Sequence, residues 1–148
     1  MSPLDNVKVY EFSKVSDPRG NLSFIEEGCH VPFSIKRVFH IYDVPGGETR
    51  GGHAHKHNLE VVMAVSGSFD MCLTDGDREI TVRLDRANKG VLVPTGVWIT
   101  MRNFTTGTVL AALCSDYYDA DDYIRDFDQY KEYVAQLKSD DPTPSEIL

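Results

Sequence analysis

Two histidines, His53 and His55, stand one residue apart within the stretch Arg-Gly-Gly-His-Ala-His-Lys, which runs from Arg50 to Lys56. Side chains alternate between the two faces of a β-strand, so both imidazoles would point to the same side. Histidine gains and loses a proton near neutral pH and is also a common metal ligand. The pair therefore predicts a pocket in which protons are moved along a substrate or a metal ion is bound.

Residues on both sides of the histidines extend the pattern. Gly47 lies six positions before His53, Glu60 lies five positions after His55, and Gly67 stands at a predicted turn that ends the segment. This order of residues, at this spacing, resembles the first sequence motif of the cupins. The resemblance implies an all-β fold, the cupin-type double-sheet jelly roll.

A second cupin motif is only partly matched. It begins at Pro94 and ends at Asn103, but Ile99 occupies the position of a further metal-binding histidine. Isoleucine has no lone pair to donate, so we predict a site that uses no metal. We also expect no other cofactor. The alternative is a metal-dependent cupin oxygenase or isomerase with the ligands His53, His55 and Glu60.

Length, composition and charge exclude several classes of protein. A chain of 148 residues supports one domain whose core needs neither a disulfide nor a metal. The net charge of −8 argues against a nucleic-acid-binding surface, which requires a basic stripe. The three cysteines include no Cys-x-x-Cys pair, which is typical of reduced thiols. Neither a signal peptide nor a membrane-spanning run is present, so we predict a cytoplasmic protein without membrane or nucleic-acid partners.

Short runs of β-forming residues, separated by turns, fill most of the chain. Besides the histidine strand, the predicted strands cover residues 7–12, 22–26, 34–44, 60–65, 69–74, 79–84, 90–93, 98–104 and 108–115. The pair Asp75 and Gly76 is typical of a tight hairpin turn. Many short strands at regular spacing predict an antiparallel sandwich or barrel, in agreement with the cupin motif.

The C-terminal part has a helical period. Apolar residues recur at intervals of three and four on one face of an amphipathic helix, namely Tyr123, Ile124, Phe127, Tyr130, Val134 and Leu137. Asp119 is the predicted N-cap of this helix, and its apolar stripe is expected to pack against the sandwich. We predict a single domain over residues 1–138 and a flexible C-terminal tail over residues 139–148.

Several separate blocks, taken together, resemble the sugar nucleotide 3,4-ketoisomerases. They include Asp17-x-Arg19-Gly20, Pro32 to Arg37, Arg50 to Lys56 and Asp116 to Arg125, and the resemblance covers about residues 7 to 133. It implies a metal-free enzyme that converts dTDP-4-keto-6-deoxyglucose to a dTDP-3-keto-6-deoxyhexose. Such a product supplies 3-amino deoxysugars for surface glycans, including the O-antigen of lipopolysaccharide.

The expected chemistry suits the two histidines. Removing the C3 proton, which the adjacent C4 ketone acidifies, gives an enediolate, and returning a proton at C4 completes the migration of the ketone. The resemblance implies that His53 takes the C3 proton and that His55 helps to deliver it to C4 or its oxygen. The sequence does not decide which histidine has which role.

A diphosphate-linked substrate also needs cations, and planar guanidinium groups match phosphate oxygens well. Arginines within the matching blocks are the strongest candidates, and aromatic side chains could stack on the thymine, line the sugar pocket or belong to the core. The predicted substrate-binding residues are Arg37, Arg50, Arg19, Lys56, Tyr42, Trp98 and Glu60.

Two positions depart from the family pattern. Relatives generally carry histidine where this chain has Ile99, and glutamine where it has Glu60. Both positions are expected near the sugar, so they could change the face on which the enediolate is reprotonated, or the choice of substrate. A non-catalytic cupin that binds a sugar nucleotide is a further alternative.

The N-terminal strands predicted between residues 7 and 44 add edges that one sandwich does not need. An unpaired strand edge is a ready site for pairing with a second chain, and two-fold dimers are the commonest closed assembly. The family resemblance likewise implies a homodimer, with strands exchanged between subunits. We expect a large apolar interface that includes Phe24, Phe33 and Phe39.

Overall fold

Apolar residues that alternate with polar ones, or follow one another without a break, form twelve strands in residues 1–140, the part of the chain that the computed structural model describes. The strands are β1 (Lys8–Glu11), β2 (Lys14–Asp17), β3 (Gly20–Ser23), β4 (Arg37–Ile41), β5 (Arg50–His55), β6 (Glu60–Ser66), β7 (Phe69–Thr74), β8 (Glu79–Leu84), β9 (Lys89–Val93), β10 (Trp98–Arg102), β11 (Val109–Cys114) and β12 (Tyr123–Ile124). One α-helix, α1, spans Phe127–Asp140, and short 3-10 helices span Pro3–Asn6 and Ala120–Asp122.

Ten of these strands build two five-stranded antiparallel sheets. The first sheet has the order β1-β9-β6-β11-β4, and the second has the order β12-β5-β10-β7-β8. The main core includes Phe69, Leu73 and Leu110, all of them fully buried. Strand β6 lies in the middle of the first sheet and is buried from Glu60 to Ala64, which explains its unbroken apolar run. The predicted all-β jelly roll with a short C-terminal helix is confirmed.

Strands β2 and β3 form a hairpin that pairs with neither sheet within residues 1–140. Its apolar side chains Val15 and Leu22 are 57% and 59% exposed, and Phe24, just beyond it, is 41% exposed. The other two aromatic residues predicted for an interface are partly buried within the chain. Phe33 packs against a second apolar cluster and Phe39 against the main core.

The predicted start of the helix is wrong. Asp119 caps the 3-10 helix Ala120–Asp122 instead, accepting a hydrogen bond from the Asp121 backbone N–H at 3.0 Å. Tyr123 and Ile124 then form β12, paired with His55 and Ala54 of β5. Tyr123 and Ile124 lie four and three positions before Phe127, so they fit the helical period as well as a short strand, and spacing alone did not separate the two structures.

Helix α1 packs through the apolar stripe that the sequence predicted. Tyr130 is fully buried and Val134 is 2% exposed. The Tyr130 hydroxyl donates a hydrogen bond to the Gly96 carbonyl at 2.7 Å, which joins the helix to the turn before β10. Tyr130 and Val134 therefore form a packing face, whereas Phe127 and Leu137 of the same stripe are 41% and 37% exposed.

The predicted C-terminal limit of the domain, residue 138, falls inside helix α1. Helix α1 continues to Asp140, whereas the predicted domain ended at residue 138. Residues 141–148, most of the predicted flexible tail, lie outside the described residues. Within residues 1–140, no helix has the length and apolar character needed to cross a membrane.

Candidate functional site

A cavity of about 560 Å³ lies against the histidine strand and is lined by residues of both sheets. Part of its wall is apolar and comes from β6, β10 and β11, with Ile99 and Leu110 among its residues. The polar and charged residues that line it include Arg37, Arg50, His53, Glu60, Tyr123 and Arg125. An apolar pocket with a few convergent polar groups is the usual form of a small-molecule site.

Gly51, before the two histidines, allows strand β5 to lie very close to strand β10. Gly51 has a φ of 88°, and a Cβ atom there would lie 2.9 Å from the Ile99 carbonyl oxygen. Only glycine fits such a close approach of β5 to β10 in that conformation. The approach sets His53 directly opposite Ile99 in the register of the two strands. The missing histidine of the second cupin motif would therefore stand beside His53, on the wall of the cavity.

His53 presents a neutral imidazole on the cavity wall. Burial, and next the positive charge on neighbouring His55, lower the pKa of His53 from its ordinary 6.5 to about 4. The two imidazole rings lie 5.0 Å apart, at 82° to each other. A neutral imidazole at neutral pH has a free lone pair that can accept a proton from a bound molecule.

His55 has a different environment, although it lies on the same face of the strand. It is 2% exposed and is absent from the lining of the cavity. Its Nδ1 is 2.8 Å from Asp122 Oδ2, and its Nε2 is 3.0 Å from Glu60 Oε1, an ion pair without the alignment of a hydrogen bond. Burial opposes the charged form, but the two carboxylates outweigh it and raise the pKa of His55. The raised pKa favours the protonated form of His55, which lies buried between two carboxylates.

Asp122 is the member of this group that the sequence did not reveal. It is 6% exposed and accepts hydrogen bonds from the backbone N–H groups of His57, at 2.6 Å, and Asn58, at 3.2 Å. Burial raises its pKa, but the hydrogen bonds from His55 and the backbone outweigh burial, so the pKa lies below its ordinary value. Asp122 stands 67 positions after His55, and no spacing rule connects the two.

Three arginines within residues 1–140 line the cavity, and two of them were predicted. Arg37 begins β4 and Arg50 begins β5, as the resemblance implied. The Arg37 Nε is buried and has no hydrogen-bond partner within residues 1–140. The third is Arg125, whose guanidinium carbon lies 4.3 Å from the centroid of the Tyr123 ring. These cations suit an anionic ligand such as a diphosphate.

Four predicted substrate-binding residues lie outside the cavity of the single chain. Arg19 is at the tip of the β2–β3 hairpin, with its side chain 91% exposed and paired with Asp17. Lys56 is exposed at the end of β5, and Tyr42 is 64% exposed. Trp98 lies on the opposite face of β10 from Ile99, where it packs under α1, so strand alternation turns its indole away from the cavity.

The metal-dependent alternative requires His53, His55 and Glu60 to share one ion. Within residues 1–140, no group of three or more His, Cys, Asp or Glu side chains has the arrangement of a metal site. Both ring nitrogens of His55 face carboxylates, which favours N–H groups at both positions over a lone pair directed at an ion.

Two facing antiparallel sheets with a histidine strand along a polar-lined cavity define a cupin-type protein. Residues 5–135 match the family model described as "FdtA: WxcM-like, C-terminal", and the chain belongs to this family. It is 44% identical over 130 residues to the TDP-4-oxo-6-deoxy-alpha-D-glucose-3,4-oxoisomerase of Aneurinibacillus thermoaerophilus, a match that covers 88% of this chain and 94% of that protein.

Solved structures agree with this assignment. The sugar 3,4-ketoisomerase QdtA of Thermoanaerobacterium thermosaccharolyticum, crystallised with TDP, has a TM-score of 0.88 and 37% identity, covering 90% of this chain and 98% of that one. The TDP-quinovose 3,4-ketoisomerase WlaRB of Campylobacter jejuni has a TM-score of 0.81 and 38% identity, covering 86% and 98%. Both matches extend over nearly the whole described chain.

Proposed function

We propose that this protein is a sugar nucleotide 3,4-ketoisomerase that moves the ketone of dTDP-4-keto-6-deoxyglucose from C4 to C3 without a metal or other cofactor. The observation that carries the proposal is the neutral imidazole of His53 on the wall of a cavity that also holds three arginines. The family, and relatives named as 3,4-ketoisomerases or oxoisomerases, support the same reaction.

The residues divide the work by their chemistry. His53 takes the proton from C3 and returns it at C4, since its imidazole is neutral, half-buried and on the cavity wall. Arg37 and Arg50 bind the diphosphate through their guanidinium groups. We place the reaction in the cytoplasm, in the biosynthesis of 3-amino deoxysugars for surface glycans such as the O-antigen of lipopolysaccharide.

The direct test is an NMR time course of the purified protein with dTDP-4-keto-6-deoxyglucose in D₂O. We expect a 3-keto product that carries deuterium at the reacting carbon, with the same rate after chelator treatment. Loss of activity on chelation, with one bound metal per chain, would instead support the metal-dependent oxygenase or isomerase. Tight binding of dTDP without exchange of the C3 proton would support a non-catalytic binding protein.

The pKa of His53 predicts the acid limb of the activity profile. The base must be neutral, so kcat/KM should stay level as pH falls from 7 to 5 and decline only near pH 4. An unperturbed histidine would instead give a limb near its ordinary 6.5. Initial rates between pH 3.5 and 8, with circular dichroism to show that the protein stays folded, distinguish the two profiles.

We also propose a homodimer in which the β2–β3 hairpins are exchanged between subunits. Support comes from the exposed apolar side chains of the hairpin, Val15 and Leu22, and of neighbouring Phe24. An apolar cleft lies between this segment and the first sheet, with Met63 and Val65 on its sheet side. Hairpin exchange would bring Arg19 of one subunit towards the other, which would explain why it does not line the cavity of its own chain.

Sedimentation equilibrium at micromolar concentration should give about twice the chain mass of 16.6 kDa. Replacing both Val15 and Leu22 by aspartate should shift the protein towards monomer, because charge on the hairpin opposes burial in an interface. Replacing exposed Lys14 by glutamine is the matched control. A wild-type monomer with full activity would contradict the dimer and any sharing of the site.

A further inference from the structure

The proposed reaction moves two protons, and His53 accounts for only one of them. The carbon-bound proton travels from C3 to C4, and the hydroxyl proton must travel from O3 to O4. His55, the partner that the sequence suggested, is buried behind the cavity wall with both ring nitrogens facing carboxylates. A different side chain on the wall must therefore carry the hydroxyl proton.

Few groups on the wall can give and take a proton, and His40 is one of them, but it is exposed to solvent. Glu60 lines the cavity, but its Oε1 accepts a hydrogen bond from Asn58 at 3.1 Å and faces His55 at 3.0 Å. Tyr118 also lines the cavity, but it is 63% exposed, so solvent competes for its hydroxyl. Tyr123 is the phenol that is half-buried beside the base.

The pairing of β12 with β5 places Tyr123 next to both histidines. It stands opposite His55 in the strand register, and its ring centroid is 5.0 Å from that of His53 and 4.4 Å from that of His55. Burial raises the pKa of Tyr123, with Arg37 acting in the opposite direction, so the phenol is protonated at neutral pH. Arg125 lies over the ring at 4.3 Å.

We propose that Tyr123 is the second proton-transfer residue, whose phenol carries the hydroxyl proton from O3 to O4 while His53 carries the carbon-bound proton from C3 to C4. This inference rests on the proposed ketoisomerase function. It gives the short strand β12, which the sequence did not predict, a part in the chemistry.

In the first step His53 takes the proton from C3, and the C3–H electron pair forms a C3=C4 double bond. The carbonyl π pair moves to O4, which takes the phenol proton of Tyr123. This step yields a neutral enediol, a protonated His53 and the tyrosinate of Tyr123. The positive charges of Arg37 and Arg125 stabilise the tyrosinate while it exists.

In the second step the tyrosinate removes the proton from O3, and the O3–H electron pair forms the new C3=O carbonyl. The C3=C4 pair takes the proton from His53 at C4. Both side chains return to their starting protonation states, and the sugar gains and loses no electrons. The scheme therefore needs neither an oxidant nor a reductant.

Tyr123→Phe tests the inference, since it removes the hydroxyl and keeps the ring against both histidines. We expect kcat to fall by about 100-fold or more, the usual weight of acid–base catalysis, with little change in KM. Tyr117→Phe, at an exposed phenol that does not line the cavity, is the matched control and should stay within about threefold of wild type. Circular dichroism and dTDP binding by calorimetry should match wild type for both variants.

A second measurement separates proton transfer from a structural role of the ring. With 3,5-difluorotyrosine in place of Tyr123, the phenol is more acidic, so the alkaline limb of kcat should move to lower pH. If wild-type protein is active and the kcat of Tyr123→Phe is within about threefold of it, the inference is wrong and the proposed function stands. The same holds if difluorotyrosine leaves the alkaline limb of kcat at its wild-type pH. Wild-type protein that never forms a 3-keto product would overturn both.

Discussion

His53→Asn should lower kcat for the 3,4-isomerisation by about 100-fold or more. Asparagine is of similar size and polar, so it fills the same place on the wall, but its amide cannot take a proton from carbon. The wild-type imidazole is neutral at pH 7 because burial and the charge on His55 hold its pKa near 4. The rate is measured by NMR with dTDP-4-keto-6-deoxyglucose, and the incorporation of deuterium from D₂O is followed in the same spectra.

His57→Asn is the matched control for this experiment. His57 is exposed, two positions beyond His55, and only its backbone N–H takes part in the buried network, through Asp122. Its side chain is absent from the cavity lining, so the variant should turn over at the wild-type rate. Near-normal turnover in His53→Asn would show that another group is the base.

The sequence predicted the fold because the signals were local. Strand alternation, the unbroken run in β6 and the turn at Asp75 and Gly76 all act within a few residues, and the structure follows them. The same alternation placed His53 and His55 on one face, which the 5.0 Å separation of their rings bears out. Glu60 could be predicted as a site residue because it lies within the first cupin motif.

The different environments of His53 and His55 could not be predicted from the sequence. It depends on Asp122, which lies 67 positions after His55 and meets it only because β12 pairs with β5. Because Tyr123 and Ile124 fit a helical period, the sequence places neither the carboxylate partner nor the nearby phenol beside the histidines. The direction of the Trp98 side chain could not be predicted for a related reason. Both faces of β10 are covered, one by the cavity and core and the other by α1.

Asp122→Asn should destabilise the protein by about 3 kcal/mol, because removing one partner of a buried ion pair leaves the other charge poorly compensated. Asparagine has one oxygen, so it can accept from only one of the His57 and Asn58 backbone N–H groups, and it loses the charge that faces His55. The free energy of unfolding is measured by urea denaturation. Asp121→Asn, an exposed carboxylate one position earlier, is the control and should stay within about 0.5 kcal/mol of wild type.

The pH dependence of the stability difference between wild type and Asp122→Asn tests whether that difference is electrostatic. The folded pKa of His55 is raised, so its contribution to stability is complete below its ordinary 6.5 and is lost as pH rises through the folded value. The folded pKa of Asp122 is lowered, so its contribution is complete above its ordinary 3.8 and is lost as pH falls through the folded value. The difference in the free energy of unfolding between wild type and Asp122→Asn should therefore be largest between about pH 4 and 6.5 and should become smaller at alkaline pH. A difference of constant size from pH 5 to 10 would mean that Asp122 acts only through its hydrogen bonds to the backbone, and that His55 does not carry the charge that keeps His53 neutral.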